Sequence, residues 1–187
     1  MAISGISVDF VTIDTSNKPA ELLALNPKGT VPVMLLPRGQ VLTSSNDILS
    51  YIGSQVSSSC LAFTGPKIIE LHDFADRTLG AGTREWIFSY RDRPEKDMDP
   101  VLLDGVKQTW VDCLQQLECW IEGEDYFLGV GPSLADCALI PRLALASHYG
   151  LKGIEKYPRL SRWFFGVQSK AWYRQAAPFH FLDATLP

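Results

Sequence analysis

Asn26-Pro27-Lys28-Gly29-Thr30-Val31-Pro32-Val33-Met34, followed after a short turn by Leu42-Thr43-Ser44-Ser45-Asn46-Asp47-Ile48, is the stretch whose reading decides the fold. Val31 to Leu36 is a short apolar, β-branched run that reads as a strand. Pro37-Arg38-Gly39-Gln40 supplies the residues of a hairpin turn, and Val41-Leu42-Thr43 reads as the returning strand. Ser44 or Ser45 then caps a helix running through Ile52, because a serine oxygen can accept from an amide of the first turn that has no helical partner.

Upstream of this hairpin, Ile6, Val8 and Phe10 alternate with polar residues, and β-branched neighbours continue to Ile13. That pattern predicts a strand with one face buried. Ser16-Asn17 offers a cap, Pro19 suits a first helical turn, and Ala20 to Leu25 is short and helix-favouring, ended by Asn26-Pro27 with Gly29 close behind. Downstream, the Ser- and Gly-rich stretch ending at Pro66 has the composition of a linker, and three regions follow: 1–55, a linker over 56–66, and 67–187.

The third region is helical by spacing. Apolar residues recur at helical intervals from Ile68 to about Tyr90, and Leu102, Val106, Trp110, Cys113, Leu114, Leu117 and Ile121 form one stripe. The polar run Arg91 to Asp97 between them reads as a solvated connection. Ser133-Leu134-Ala135-Asp136 has capping-box spacing ahead of the apolar Cys137-Ala138-Leu139-Ile140. Tyr157-Pro158-Arg159-Leu160 opens a last helix with Leu160, Trp163, Phe164 and Val167 on one face.

Composition narrows the function. At 187 residues and 46% hydrophobic content the chain can bury a full core, and 17 basic against 21 acidic residues leave no footprint for nucleic acid or an anionic membrane. No apolar run is long enough to span a bilayer, and the first five residues lack a secretory pattern, so the expected address is cytoplasmic. Cys60, Cys113, Cys119 and Cys137 form no C-x-x-C pair, and the expectation is reduced, packed thiols without a metal. His72 and Asp76 share a helical face but lack a third ligand, and His148 and His180 have no partner at useful spacing. Trp110, Trp120, Trp163 and Trp172 read as core or interface anchors.

A small βαββα unit, a linker and an all-helical half in this order resemble the glutathione S-transferase family over nearly the whole chain. The resemblance implies an α/β, thioredoxin-like N-terminal domain, here incomplete, plus an all-α C-terminal bundle. It implies that Pro32 is cis and leaves the Val31 backbone exposed to pair with the cysteinyl main chain of glutathione; an X-Pro bond prefers trans by only about 0.5–1 kcal/mol. Ser45 holds the family's serine that grips the γ-glutamyl group, where a hydroxyl and free amides at a helix start suit a carboxylate. Ser44 stands where Glu or Gln is usual, and Asp47 where a small apolar residue is common. The implied glutathione-binding set is Thr30, Val31, Pro32, Ser44 and Ser45, and Arg84, Trp86 and Tyr90 lie where the family builds its pocket for the electrophile.

Tyr126-Phe127-Leu128-Gly129, Pro132 to Asp136 and Lys156 to Leu160 match the family's loop, capping box and final-helix entry, as markers of fold rather than of catalysis. The strand at Ile6 corresponds to the family's second, and the family's catalytic Tyr, Ser or Cys lies on a preceding unit of roughly twenty to thirty residues. Only five residues precede Ile6, so the catalytic residue is unassigned. The gap in the sheet is open to four solutions: the Ile6 strand moved inward, a strand exchanged from another copy, a rearranged sheet, or a sequence that is a shortened reading of its gene.

The resemblance implies glutathione as co-substrate, a small electrophilic metabolite as partner, thiol addition or glutathione-assisted isomerisation as reaction, and a homodimer. Two rival readings stand beside it. One is a non-enzymatic assembly module of transferase-like fold; the other is a glutathione-independent isomerase or lyase that reuses the cleft, with Asp47 as acid or base.

Overall fold

The computed structural model describes residues 6–56, 64–92, 100–129 and 131–178. The N-terminal unit holds α1 (Ala20–Leu25), β1 (Met34–Leu35), β2 (Val41–Leu42) and α2 (Ser45–Gln55). β1 and β2 pair antiparallel, Met34 opposite Leu42 and Leu35 opposite Val41. Gly39 closes the turn with φ 83°, a value that favours glycine. Leu22, Leu36, Ile48 and Ile52 are the buried apolar side chains of this unit.

The strand expected over Ile6 to Ile13 is corrected. Half-burial of Ile6 and Val8 against exposed Ser7 and Asp9 keeps the alternation of a strand, but residues 7–13 join no ladder among the described residues. Phe10, which the pattern assigns to the buried face, is 81% exposed. A strand exists only through its neighbour's hydrogen bonds, and β1 takes its partner from β2 alone among those residues. Most of the expected linker, 57–63, and the polar connection over 93–97 lie outside the described residues.

The helical half begins at α3 (Pro66–Phe74), with Pro66 in the first turn, where its missing amide costs nothing. The chain continues through a π-helical turn, Ala75–Gly80, directly into α4 (Ala81–Asp92). Gly80 makes this wide turn possible: a Cβ there would stand 2.9 Å from the Ala75 carbonyl oxygen and 3.1 Å from Arg142 Nε. Arg142 in turn reaches Asp76 at 2.6 Å. Thus Asp76, paired by spacing with His72, has an arginine partner instead.

α5 (Pro100–Trp120), α6 (Leu134–His148), a 3-10 turn (Ile154–Lys156), α7 (Pro158–Gln168) and α8 (Ala171–Ala176) complete the bundle. The buried stripe of α5 is Val106, Trp110, Cys113, Leu114 and Leu117, as its spacing predicts. Trp110 donates its indole N–H to the Lys152 carbonyl at 2.9 Å, which ties α5 to the loop beyond α6. Glu118 caps α7 from a distance, its two carboxylate oxygens accepting from the amides of Arg159 (3.2 Å) and Leu160 (2.8 Å). The Arg159 guanidinium returns to the Ile121 carbonyl.

Asp136 is the centre of this half. Fully buried in the first turn of α6, its carboxylate accepts from the Ser133 amide (2.9 Å) and hydroxyl (2.8 Å), the Phe127 amide (2.8 Å) and the Trp163 indole (3.0 Å). One side chain therefore starts α6, fixes the loop before it and anchors α7. Phe127 and Trp163 also meet edge to face, 5.1 Å between ring centroids. Replacing Asp136 by Ala strands several buried donors at about 1–3 kcal/mol each. We expect Asp136→Ala to lose about 3–5 kcal/mol in urea unfolding, and Asp136→Asn to lose less, because an amide oxygen still accepts.

Candidate functional site

The segment that decides the fold also forms a rim open to solvent. Asn26 ends α1, and its side chain, buried beneath the turn, donates to both the carbonyl and the hydroxyl of Thr30 at 2.9 Å while accepting from the Lys28 amide at 3.3 Å. The Gly29 amide closes onto the Asn26 carbonyl at 2.8 Å. Gly29 has φ 61°, and a Cβ there would press to 2.9 Å from Lys18 Cδ. The loop is thus held from inside, and it delivers Val31 and Pro32 to the surface in a fixed pose.

The Val31-Pro32 bond is cis, as the resemblance implies. Val31 is 47% exposed, and its main-chain N–H and C=O have no hydrogen-bond partner among the described residues. Val31 and Pro32 lie two to three residues before β1, and Ser44 and Ser45 two to three residues after β2, whose antiparallel pairing is Met34 with Leu42 and Leu35 with Val41. The cis turn and the start of α2 are therefore at the same end of the two-stranded ladder.

Ser44 is the N-cap of α2, its hydroxyl oxygen accepting from the Asp47 amide at 3.1 Å. Ser45 and Asn46 follow as the first two helical residues, with amides that no preceding turn can satisfy. Thr30, Ser44, Ser45 and Asp47 are all exposed. The arrangement can offer a ligand one extended main-chain partner at Val31 and, at the same end of the ladder, a hydroxyl and amides at the positive end of a helix, a seat for a carboxylate.

The expected electrophile pocket does not come together as one face. Arg84 and Trp86 are two residues apart on α4 and point to different sides of it. Trp86 is 5% exposed, donates its indole N–H to the Tyr149 carbonyl at 2.8 Å and stacks on Tyr90 at 4.6 Å, so its indole packs in the bundle. Arg84 and Tyr90 are exposed. Among the described residues, no group of three His, Cys, Asp or Glu could hold a metal ion; His180 lies outside them.

Burial also disposes of two cysteines as nucleophiles. Desolvation, with the charge of Asp112 beside one and Asp136 beside the other, pushes the Cys113 thiol up to about 11 and the Cys137 thiol up to about 12. Neither forms the reactive thiolate near neutral pH. Cys119 is exposed, and Cys60 lies outside the described residues.

Sequence reading passed over Asn26 as a helix end, although it braces the whole turn. The available signal was an asparagine directly before the Pro-Lys-Gly turn, where Asx side chains bond the backbone ahead of them. It also passed over Arg142, whose partner is remote in sequence.

Comparison with known proteins agrees with this fold. Residues 1–55 match the model of the glutathione S-transferase N-terminal domain, and residues 101–169 that of the C-terminal domain. A maleylacetoacetate isomerase of Pseudomonas aeruginosa is 24% identical over 188 residues, covering 92% of this chain and 82% of the relative. Glutathione S-transferase hmp2 of Hypomyces subiculosus is 27% identical over 171 residues, covering 84% and 79%. A glutathione S-transferase of Methylobacillus flagellatus, solved with GSH bound, superposes with a TM-score of 0.79 at 22% identity, covering 95% of this chain and 90% of that one.

Two outcomes are expected. Asn26→Ala removes three side-chain hydrogen bonds from a buried bracket and should cost about 1–3 kcal/mol of stability in the N-terminal unit, visible as faster amide exchange at Thr30 and Val31. For the thiols, the folded values lie above the unfolded reference of 9.0, so their contribution to stability is complete below pH 9 and is lost as pH rises through about 11 and 12. Iodoacetamide at pH 8 should spare Cys113 and Cys137 until denaturant is added, and Cys137→Ala should flatten the alkaline loss of stability. Both halves match the family's two domain models and the relatives span most of the chain, and the chain belongs to the glutathione S-transferase family.

Proposed function

We propose that the protein binds glutathione at the Val31 turn and the start of α2, and uses it on a small electrophilic metabolite by thiol addition or glutathione-assisted isomerisation. The observation that supports this reading is the exposed Val31 backbone at a cis bond, without a hydrogen-bond partner among the described residues, at the end of the β1–β2 ladder where α2 also starts. In it, Val31 pairs with the cysteinyl main chain, Ser45 and its neighbouring amides take the γ-glutamyl carboxylate, and Thr30, Pro32 and Ser44 shape the seat. Residues 1–55 carry this site, 56–66 link, and 67–187 supply the electrophile side, with the exposed Arg84 and Tyr90 on α4. The chemical task is to hold a thiolate near neutral pH, since a free thiol titrates near 8.5. We assign no residue of this chain to it. The protein works as a cytoplasmic homodimer in this reading.

A second reading, a transferase-like assembly module, draws on the exposed apolar side chains of the N-terminal unit, Phe10, Val11, Leu23 and Leu35 among them. Calorimetric titration with glutathione separates the two. Saturable binding is expected, weakened about fivefold to tenfold by Ser45→Ala, the equivalent of roughly 1 kcal/mol. No saturable heat with the wild-type protein would sink the glutathione reading and leave the assembly module and the glutathione-independent isomerase or lyase.

A further inference from the structure

α3 and α4 are one continuous helix interrupted by the Ala75–Gly80 turn, and that turn holds one residue more than an α turn would. The Ala81 amide donates to the Asp76 carbonyl, five residues back, where an α-helix would join it to Arg77. Were the turn to relax to α geometry with α3 held, each residue of α4 would take the place of the one after it. That is a rotation of about 100° and an advance of about 1.5 Å.

The side chains of α4 fit only the phase that the π turn gives them. Gly82 lies against α5, where a Cβ would stand 2.6 Å from the Thr109 methyl, and Thr109 is held in that pose by its own hydroxyl, which donates to the Gly105 carbonyl at 3.1 Å. In the α phase Ala81 would bring a Cβ to that spot. The exposed Glu85 would take the place of the buried Trp86, and the indole bond to the Tyr149 carbonyl would be lost. Thr83 and Ser89, both buried, would take the outward places of Arg84 and Tyr90.

What keeps the extra residue in place lies on α6. The Arg142 guanidinium crosses the turn: at one end it reaches Asp76 Oδ1 at 2.6 Å, and at the other its Nε and Cζ lie 3.1 and 3.2 Å from where a Gly80 Cβ would be. A half-exposed ion pair is worth little as a simple bridge. This one spans the second and last residues of the turn and fills the space that only glycine leaves. The Thr83 hydroxyl, donating to the Leu79 carbonyl at 2.8 Å, braces the exit into α4.

We propose that Asp76 and Arg142 are positioning residues for the substrate side of the site: their pair latches the π turn, and the turn sets the phase in which α4 presents Arg84 and Tyr90 outward. The substrate role rests on the glutathione reading above; the latch does not.

Amide hydrogen exchange on the full chain tests the latch. Asp76→Asn and Arg142→Met should each speed exchange of the Gly80 to Thr83 amides by about threefold to fivefold, and the double variant no more than either alone, because both remove one interaction. Deleting Thr78, which is exposed in the turn, gives α4 the same phase through an unbroken α-helix, and in that background Arg142→Met should change nothing. Exchange unmoved by both substitutions, or moved additively, would overturn the latch and the positioning role with it. Calorimetry with S-benzylglutathione against glutathione reads the substrate role: Arg142→Met should weaken the first severalfold more than the second. Equal weakening, or none, would overturn the positioning role and leave the latch. No binding of either ligand to the wild-type protein would remove the glutathione reading and the substrate role together, with the exchange result still deciding the latch.

Discussion

The buried carboxylate of Asp136 is the constraint on which the helical half depends. An unpaired carboxylate in a protein interior is costly, so Asp136 dictates that donors surround it. Those donors come from the turn before α6, from the loop at Phe127 and from Trp163 on α7. Satisfying one charge thereby fixes three parts of the chain. The remaining long-range ties follow the same logic, with the Trp86 and Trp110 indoles fastened to carbonyls of the loop after α6 and Glu118 capping α7. The bundle is apolar in volume and polar in its fastenings, and the fastenings decide which helix faces which.

The N-terminal unit is organised differently. Its large buried side chains are few, and its order comes from local hydrogen bonds: Asn26 inside the Lys28–Thr30 turn, Ser44 on the start of α2, and the short β1–β2 ladder. Such a unit can present main-chain groups to a ligand because it does not consume them internally. The same economy leaves large apolar side chains of this unit exposed, Phe10, Val11 and Leu35 among them.

How much was legible in the sequence varied with the range of the interaction. The hairpin at Val31–Thr43, the helix from Ser45, the buried stripe of α5 and the Ser133–Asp136 start of α6 were readable because each is set by residues within a few positions of one another. Thr30, Val31, Pro32, Ser44 and Ser45 were grouped by their order around that hairpin, whose two strands put the cis turn and the start of α2 at one end of the ladder. The strand at Ile6–Ile13 was read from alternation, which specifies a face but not a neighbour, and no ladder forms there among the described residues. Arg84 and Trp86 were grouped by closeness in sequence, whereas a helix turns two successive positions to different sides.

The sequence by itself determined the hairpin, the helices and their order, because periodicity, turn chemistry and capping are short-range physics written into adjacent residues, and its resemblance to a known family implied the cis turn. Only the tertiary structure decided that Asp136 collects donors from three elements, that Asn26 braces the Val31 turn, that Asp76 belongs to Arg142 and that Trp86 packs inward. The physical reason is that a polar side chain's partner is chosen by what the fold brings within about 3 Å of it, and that distance carries no trace in linear spacing.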